Sequence, residues 1–265
     1  MNKLLTTLLA ALLLAAGQAV ASGDDVTLEP APIDRLNAES LQRGARTFVN
    51  YCLNCHSAKY MRYNRLVDLG LNEDQIRDNL IFTGAKIGDT MQVAMPAADA
   101  KGWFGAPPPD LSVESRVRGV DWLYNYFLGF YKDEKSATGW NNLVFPNVGM
   151  PHVLWELSGT NRLVVTEYKD AHEAHAAALA AKRMVKIAAL PGGKTAVETL
   201  TVDSPGAMSP DQYRAFVADL VNFMDYVGEP VKNKRISLGL VVLIYLGILF
   251  VFAFWLKKEY WKDVH

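Results

Sequence analysis

The sequence predicts a mainly α protein, with one small β-hairpin insertion in a helical domain and a single C-terminal helix that crosses a membrane. Three observations predict it. Apolar residues recur at helical spacing in 37–52, 72–80, 121–131 and 209–228. Strand-like β-branched runs are confined to 161–168 and 196–202. Ile236 to Leu256 runs 21 residues without a charge, which at ~1.5 Å per residue spans the ~30 Å of a bilayer's hydrocarbon.

Residues 1–21 have the form of an export signal: Lys3, an apolar stretch from Leu4 to Ala16 too short to span, and small residues at Ala19-Val20-Ala21. Export leads to an oxidising compartment. The domain is then expected over 22–235. Residues 22–36 are acidic and proline-containing, an extended arm or linker. Asn37 can cap a helix on which Leu41, Ala45, Phe48, Val49 and Cys52 share one face.

That helix ends on Cys52-Leu53-Asn54-Cys55-His56, and these five residues carry the chemistry. C-x-x-C-H is the attachment pattern of a c-type haem. Two thiols three positions apart lie on one side of a helical turn, so each reaches one vinyl group. The histidine that follows is then brought under the iron as the proximal ligand. Cys52 and Cys55 are the only cysteines in the chain. A zinc site would need two further ligands at matching spacing. A thioredoxin-like dithiol would need a βαβ context. A disulfide between the pair would have no use for His56.

Asn72 with Gln75 opens a short helix through Ile76 and Leu80. From Gly84 to Pro109 the Gly, Ala and Pro content predicts a long irregular loop, of the kind that wraps a ligand. Asp121 is read as the cap of an aromatic helix carrying Leu123, Tyr124, Phe127, Leu128 and Tyr131. The two β-branched runs form a small hairpin, with an Ala-, Lys- and His-rich helix inserted between them. Ser209, Pro210 and Gln212 open the clearest helix, whose stripe runs from Tyr213 to Val227 and stops at Gly228 and Pro230. Basic residues flank the apolar span of 236–256 on both sides, so charge does not orient it. The export signal does: the domain lies outside and 257–265 form a cytoplasmic tail.

The sixth position of the iron decides between carrier and ligand-binding haem. A thioether raises the potential, so a methionine suits a carrier. Met150 is the first choice, in Phe145-Pro146-Asn147-Val148-Gly149-Met150-Pro151, where Gly149 allows close backbone approach and Pro151 stiffens the far side. Met208 and Met95 follow, and His152 is a minor alternative. His172 and His175 have metal-ligand spacing but no third ligand nearby. Residues 22–231 carry a net charge of −6. That suits a basic soluble partner or plain solubility, and no nucleic-acid partner is expected. Arg116 and Arg118 are both placed to pair with a haem propionate.

Taken together, several stretches resemble the cytochrome c1 family. They are the C-x-x-C-H motif early in the chain, Ala106-Pro107-Pro108-Pro109-Asp110-Leu111-Ser112, Trp122-Leu123-Tyr124 with Gly129-Phe130-Tyr131, the Met150 loop, and Glu229-Pro230 before a single anchor. The resemblance implies a cytochrome c-like haem domain with Met150 as distal ligand and Arg116 as propionate partner. It implies one-electron transfer from the Rieske iron–sulfur protein to a soluble cytochrome c, within a dimeric complex that includes cytochrome b. It implies a bacterial inner-membrane location with the haem domain periplasmic. This chain alone would make no bond in a substrate. The resemblance carries no role to 161–202. A free-standing membrane-anchored cytochrome c, and a haem sensor or peroxidase with an open sixth position, are the alternatives.

Overall fold

The computed structural model describes residues 26–93, 95–181 and 183–263. The expected signal at 1–21 and His265 lie outside them. Contacts divide the described chain into two units, one of residues 26–27 and 164–199 and one of residues 28–163 and 200–263.

The larger unit is built on two helices, α1 (Ala38–Thr47) and α8 (Pro210–Gly228). Asn37 caps the first, its side chain accepting from the Ser40 N–H at 3.0 Å. Ser209 and Gln212 close a full capping box on the second. Leu41, Ala45, Phe48 and Val49 meet Val217, Leu220, Val221 and Phe223 in one core. Each large side chain so buried contributes about 1.5–3 kcal/mol. The helices cross at Gly44. A Cβ there would run into the carbonyl oxygen of Asp219 and lie 2.6 Å from Cβ of Phe223.

The acidic arm is a strap rather than a free linker. Asn125 exchanges two hydrogen bonds with the backbone of Glu29, at 3.0 and 2.7 Å. Asp121 accepts from the Ala31 N–H at 2.7 Å. Asn222 donates to Asp34 O at 2.7 Å, and Arg35 pairs with Asp225 at 2.9 Å. These partners are far apart in sequence and leave no periodic trace.

Further elements frame the motif region. They are β2 (Ala58–Arg62), a 3₁₀ turn (Tyr63–Leu69), α2 (Glu73–Leu80), β3 (Thr90–Met91), α3 (Ala97–Phe104), α4 (Glu114–Arg118), α5 (Val120–Leu128), β4 (Phe130–Lys132), β5 (Trp140–Asn142) and α6 (Trp155–Ser158). Strands β2 and β3 pair, as do β4 and β5. Three expectations change here. The 84–109 segment is not wholly irregular: β3 and α3 lie within it, and α3 is entered from Pro96 and closed by a left-handed Gly105, φ 80°. Gly102 inside that helix disguised it. The aromatic helix is capped by Gly119, not Asp121, which sits in its first turn facing the strap. It also ends before Tyr131, which belongs to β4.

The smaller unit carries most of a four-stranded sheet in the order β1-β7-β8-β6, from β1 (Val26–Thr27), β6 (Gly159–Tyr168), β7 (Val185–Ala189) and β8 (Thr195–Pro205). Helix α7 (Ala171–Ala181) buries Ala174 and Ala178 with Val185, Ile187 and Val197. The insertion is therefore larger than a hairpin of two runs. β7 was hidden because Val185-Lys186-Ile187-Ala188-Ala189 alternates only weakly, with alanines where β-branched residues would mark a strand. The tight hairpin is β7–β8, turning at Pro191–Gly193.

Helix α9 (Lys232–Tyr260) follows α8 after the Glu229-Pro230 break. Its 29 residues are long and apolar enough to cross a membrane, and none is buried within the chain.

Candidate functional site

Helix α1 does not simply stop at the motif. From Phe48 to Cys52 it widens into a π turn, closed by the Leu53 N–H on Phe48 O at 3.0 Å. Such turns recur at functional sites because the extra residue swings a side chain off the helical path. The Cys52 carbonyl then accepts two bonds, from the N–H groups of Cys55 at 3.1 Å and His56 at 2.8 Å. The Cys-x-x-Cys-His run is thereby wound into one compact turn. Both cysteines are free, Cys52 buried and Cys55 half-buried. Burial, with a smaller contribution from Cys55, pushes the Cys52 thiol up to about 12.

His56 is buried, and its Nδ1 lies 2.7 Å from Pro109 O. A carbonyl only accepts, so Nδ1 carries the proton and Nε2 keeps its lone pair. That is the tautomer a metal-ligating histidine needs, with the backbone carbonyl as the partner that fixes the ring. Burial lowers the His56 pKa, partly offset by the bond to Pro109, so the ring is held neutral.

The proline segment is clamped to deliver that carbonyl. Asp110 accepts from the N–H groups of Lys59 at 3.0 Å and Ser112 at 2.9 Å. Ser57 binds both sides, its O accepting from Leu111 N–H at 2.8 Å and its Oγ from Val93 N–H at 3.0 Å. Burial opposes ionisation of Asp110, but the bonds from Ser112 and Lys59 hold its carboxyl below the ordinary value.

Met150 is half-buried and packs on the same core as Cys52 and Leu53. Its loop hangs on two buried asparagines that sequence reasoning missed. Asn142 Oδ1 accepts from the N–H groups of Val144 at 2.9 Å and Phe145 at 3.1 Å, while its Nδ2 donates to Tyr126 O at 2.7 Å. Asn141 Oδ1 accepts from the N–H groups of Asn142 and Asn147, both at 2.8 Å. Asn147 takes a left-handed φ of 60°, which asparagine tolerates. An Asn pair just before a Phe-Pro-Asn turn was the one visible signal. Among the described residues, and its two chain neighbours apart, nothing lies within 4 Å of a Cβ placed on Gly149, so packing against them does not demand that glycine. Asn142→Ala leaves two N–H groups and one carbonyl without partners. It is expected to cost about 3 kcal/mol or more at ~1–3 kcal/mol per unsatisfied group, read as a lowered denaturant midpoint.

The remaining candidates separate. Met208 packs on the core at the entry to α8, and Met95 precedes α3. His152 is a core histidine: its Nε2 lies 2.8 Å from Ser158 Oγ, its ring stacks on Phe130 at 4.7 Å, and burial pushes its pKa down to about 4. His172 and His175 are exposed on α7, and His175 Nδ1 bonds to Ala171 O at 2.7 Å. No group of three His, Cys, Asp or Glu able to hold a metal ion occurs among the described residues. Arg116 is exposed, its stem beside Gly228 at the end of α8. Arg118 lies over Trp122, 4.8 Å from the ring centroid, and over Phe145 at 5.5 Å.

A cysteine pair three positions apart, wound into one turn with a histidine locked with Nε2 available, is the donor set a covalently attached haem requires. The comparisons agree. The model of the Cytochrome C1 family matches residues 29–186. The chain is 46% identical over 263 residues to a protein of Nitrosomonas europaea named ammonia monooxygenase gamma subunit, covering 99% of this chain and all of that one. It is 45% identical over 255 residues to cytochrome c1 of Allochromatium vinosum, covering 96% of each. It is 26% identical over 257 residues to cytochrome c1 of Rhodospirillum rubrum, covering 87% of this chain and 84% of that one. The chain belongs to the cytochrome c1 family, the membrane-anchored electron carriers with a covalently bound c-type haem in the cytochrome bc1 complex.

Proposed function

We propose that this chain takes one electron at a time from the Rieske iron–sulfur protein and passes it to a soluble cytochrome c. Cys52 and Cys55 would hold the haem by thioether bonds. His56 Nε2 and Met150 Sδ would ligate the iron, and Arg116 would pair with a propionate. When bound, the haem supplies an iron centre that changes by one electron without making or breaking a bond in a substrate. The residues hold that centre still, exclude water from it and bias its potential.

The observation that carries the reading is the His56 Nδ1 bond to Pro109 O at 2.7 Å. It fixes ring and tautomer before any metal is bound. The clamp at Asp110 and the asparagine-held loop of Met150 support it by making both ligand segments rigid.

The same proposal places the domain on the periplasmic side of a bacterial inner membrane, delivered by the 1–21 signal. Residues 236–256 cross the bilayer, 257–265 are cytoplasmic, and the complex is dimeric. Mild detergent extraction followed by haem staining tests it. The stained chain is expected to co-migrate with a cytochrome b and an iron–sulfur protein. A lone, fully active monomer would favour a free-standing anchored cytochrome c instead. Co-migration with a monooxygenase would favour the role named in the Nitrosomonas relative.

A further inference from the structure

We infer that Tyr126 is a positioning residue for the sulfur of Met150, and that its hydroxyl sets the potential of the centre by hydrogen-bonding to that sulfur. The inference rests on the reading of Met150 as the iron's distal ligand.

The Tyr126 hydroxyl donates to Met150 Sδ at 3.4 Å. This is an ordinary O–H to sulfur separation, and the ring that carries the donor has little freedom. Trp122 and Tyr126 lie four residues apart on one face of α5, and Arg118 ends α4 just before the Gly119 break. The Arg118 guanidinium covers Trp122 at 4.8 Å, and Trp122 stacks on Tyr126 at 5.0 Å and 14°. Phe127 and Phe130 meet the Tyr126 ring edge-on, at 5.6 and 5.1 Å. The main chain of the same residue is tied to the same loop, because Tyr126 O accepts from Asn142, whose Oδ1 holds Val144 and Phe145. Tyr126 therefore grips the Met150 loop twice, once through its backbone and once through its hydroxyl.

A thioether sulfur has two lone pairs. One serves the metal and the other remains free to accept a proton donor. A hydrogen bond to the second draws electron density from the sulfur and weakens its donation. Ferric iron, the more electron-poor state, loses more from a weaker donor than ferrous iron does. The hydroxyl therefore favours the reduced state and raises the potential, a hydrogen-bonding lever of the kind that tunes metal centres from outside the ligand set.

The test is Tyr126→Phe in the intact detergent-purified complex, with potentiometric titration of this haem and the sulfur-to-iron charge-transfer band as readouts. Phenylalanine keeps the aromatic stack. The equilibrium constant for reduction is expected to fall by a factor of about three to ten, or ~30–60 mV at 59 mV per tenfold for one electron. The band should persist but move. A purely packing role would leave the potential where it was. Met150→Leu is run beside it. If Met150→Leu removes the band while Tyr126→Phe leaves band and potential unchanged, the inference falls and the ligand reading stands. If Met150→Leu leaves the band in place, both fall. Should the phenylalanine variant fail to accumulate, 3-fluorotyrosine at position 126 replaces it. That side chain is a stronger donor and is expected to raise the potential, and an unmoved potential overturns the inference.

Discussion

Met150→Leu is expected to remove the sulfur-to-iron band and to lower the equilibrium constant for reduction by on the order of a hundredfold, ~120 mV at 59 mV per tenfold. The size follows from the ligand's chemistry. A thioether stabilises ferrous iron, and leucine has nothing to offer in its place. The change is otherwise mild. Leucine and methionine have similar volumes, and such swaps cost less than ~1.5 kcal/mol. The bonds that hold the loop's main chain come from Asn141 and Asn142; only the Tyr126 hydroxyl loses a partner, so the backbone should stay in place. A large spectral change with near-normal stability is the signature of a lost ligand. The ferrous variant should also bind carbon monoxide, which a filled sixth position resists. Absorption spectra and potentiometry of the purified complex measure both. An unchanged spectrum would move the search to Met208 and Met95.

Gly44→Ala has the second large effect, this time on folding. In a helix interior alanine is ordinarily favoured over glycine by ~1 kcal/mol. Here the sign should reverse. The added methyl would meet the main-chain oxygen of Asp219, which no rotamer change can move. Relief requires α1 and α8 to part, and these two helices share the core of the larger unit. Overpacking of this kind costs about 1–3 kcal/mol, and the backbone contact places Gly44→Ala at the upper end. The consequence reaches the site, because α1 leads directly into the π turn of Cys52. The variant should accumulate less haem-stained chain and unfold at lower denaturant. A neutral or stabilised Gly44→Ala would mean that the two helices are not in this contact.

Legibility in the sequence followed the range of the interaction. Asn37, Asn72 and Ser209 were readable as caps because a cap binds within three residues of itself. The Cys52-to-His56 motif was readable because covalent attachment fixes its spacing. The stripe from Tyr213 to Val227 was readable because burial on one face imposes a period, although Asn222 and Asp225 on that helix are also buried, against the strap. The parts that were hidden depend on distant partners. Asp110 clamps a backbone about fifty residues earlier in the chain. Asn142 serves its own loop and also α5, and Tyr126 reaches forward to Met150. Gly44 is demanded by Asp219 and Phe223 across the helix crossing, about 175 residues further along the chain. Asp121 was misread because an acidic residue near a helix start has two uses, and here it serves the strap rather than the cap.

The most direct measurement is the intact mass of the purified mature chain under denaturing conditions. The account predicts the mass of the residues after the signal plus one haem, with neither Cys52 nor Cys55 open to alkylation. A mass equal to the amino acids alone, with both thiols reacting, would contradict it.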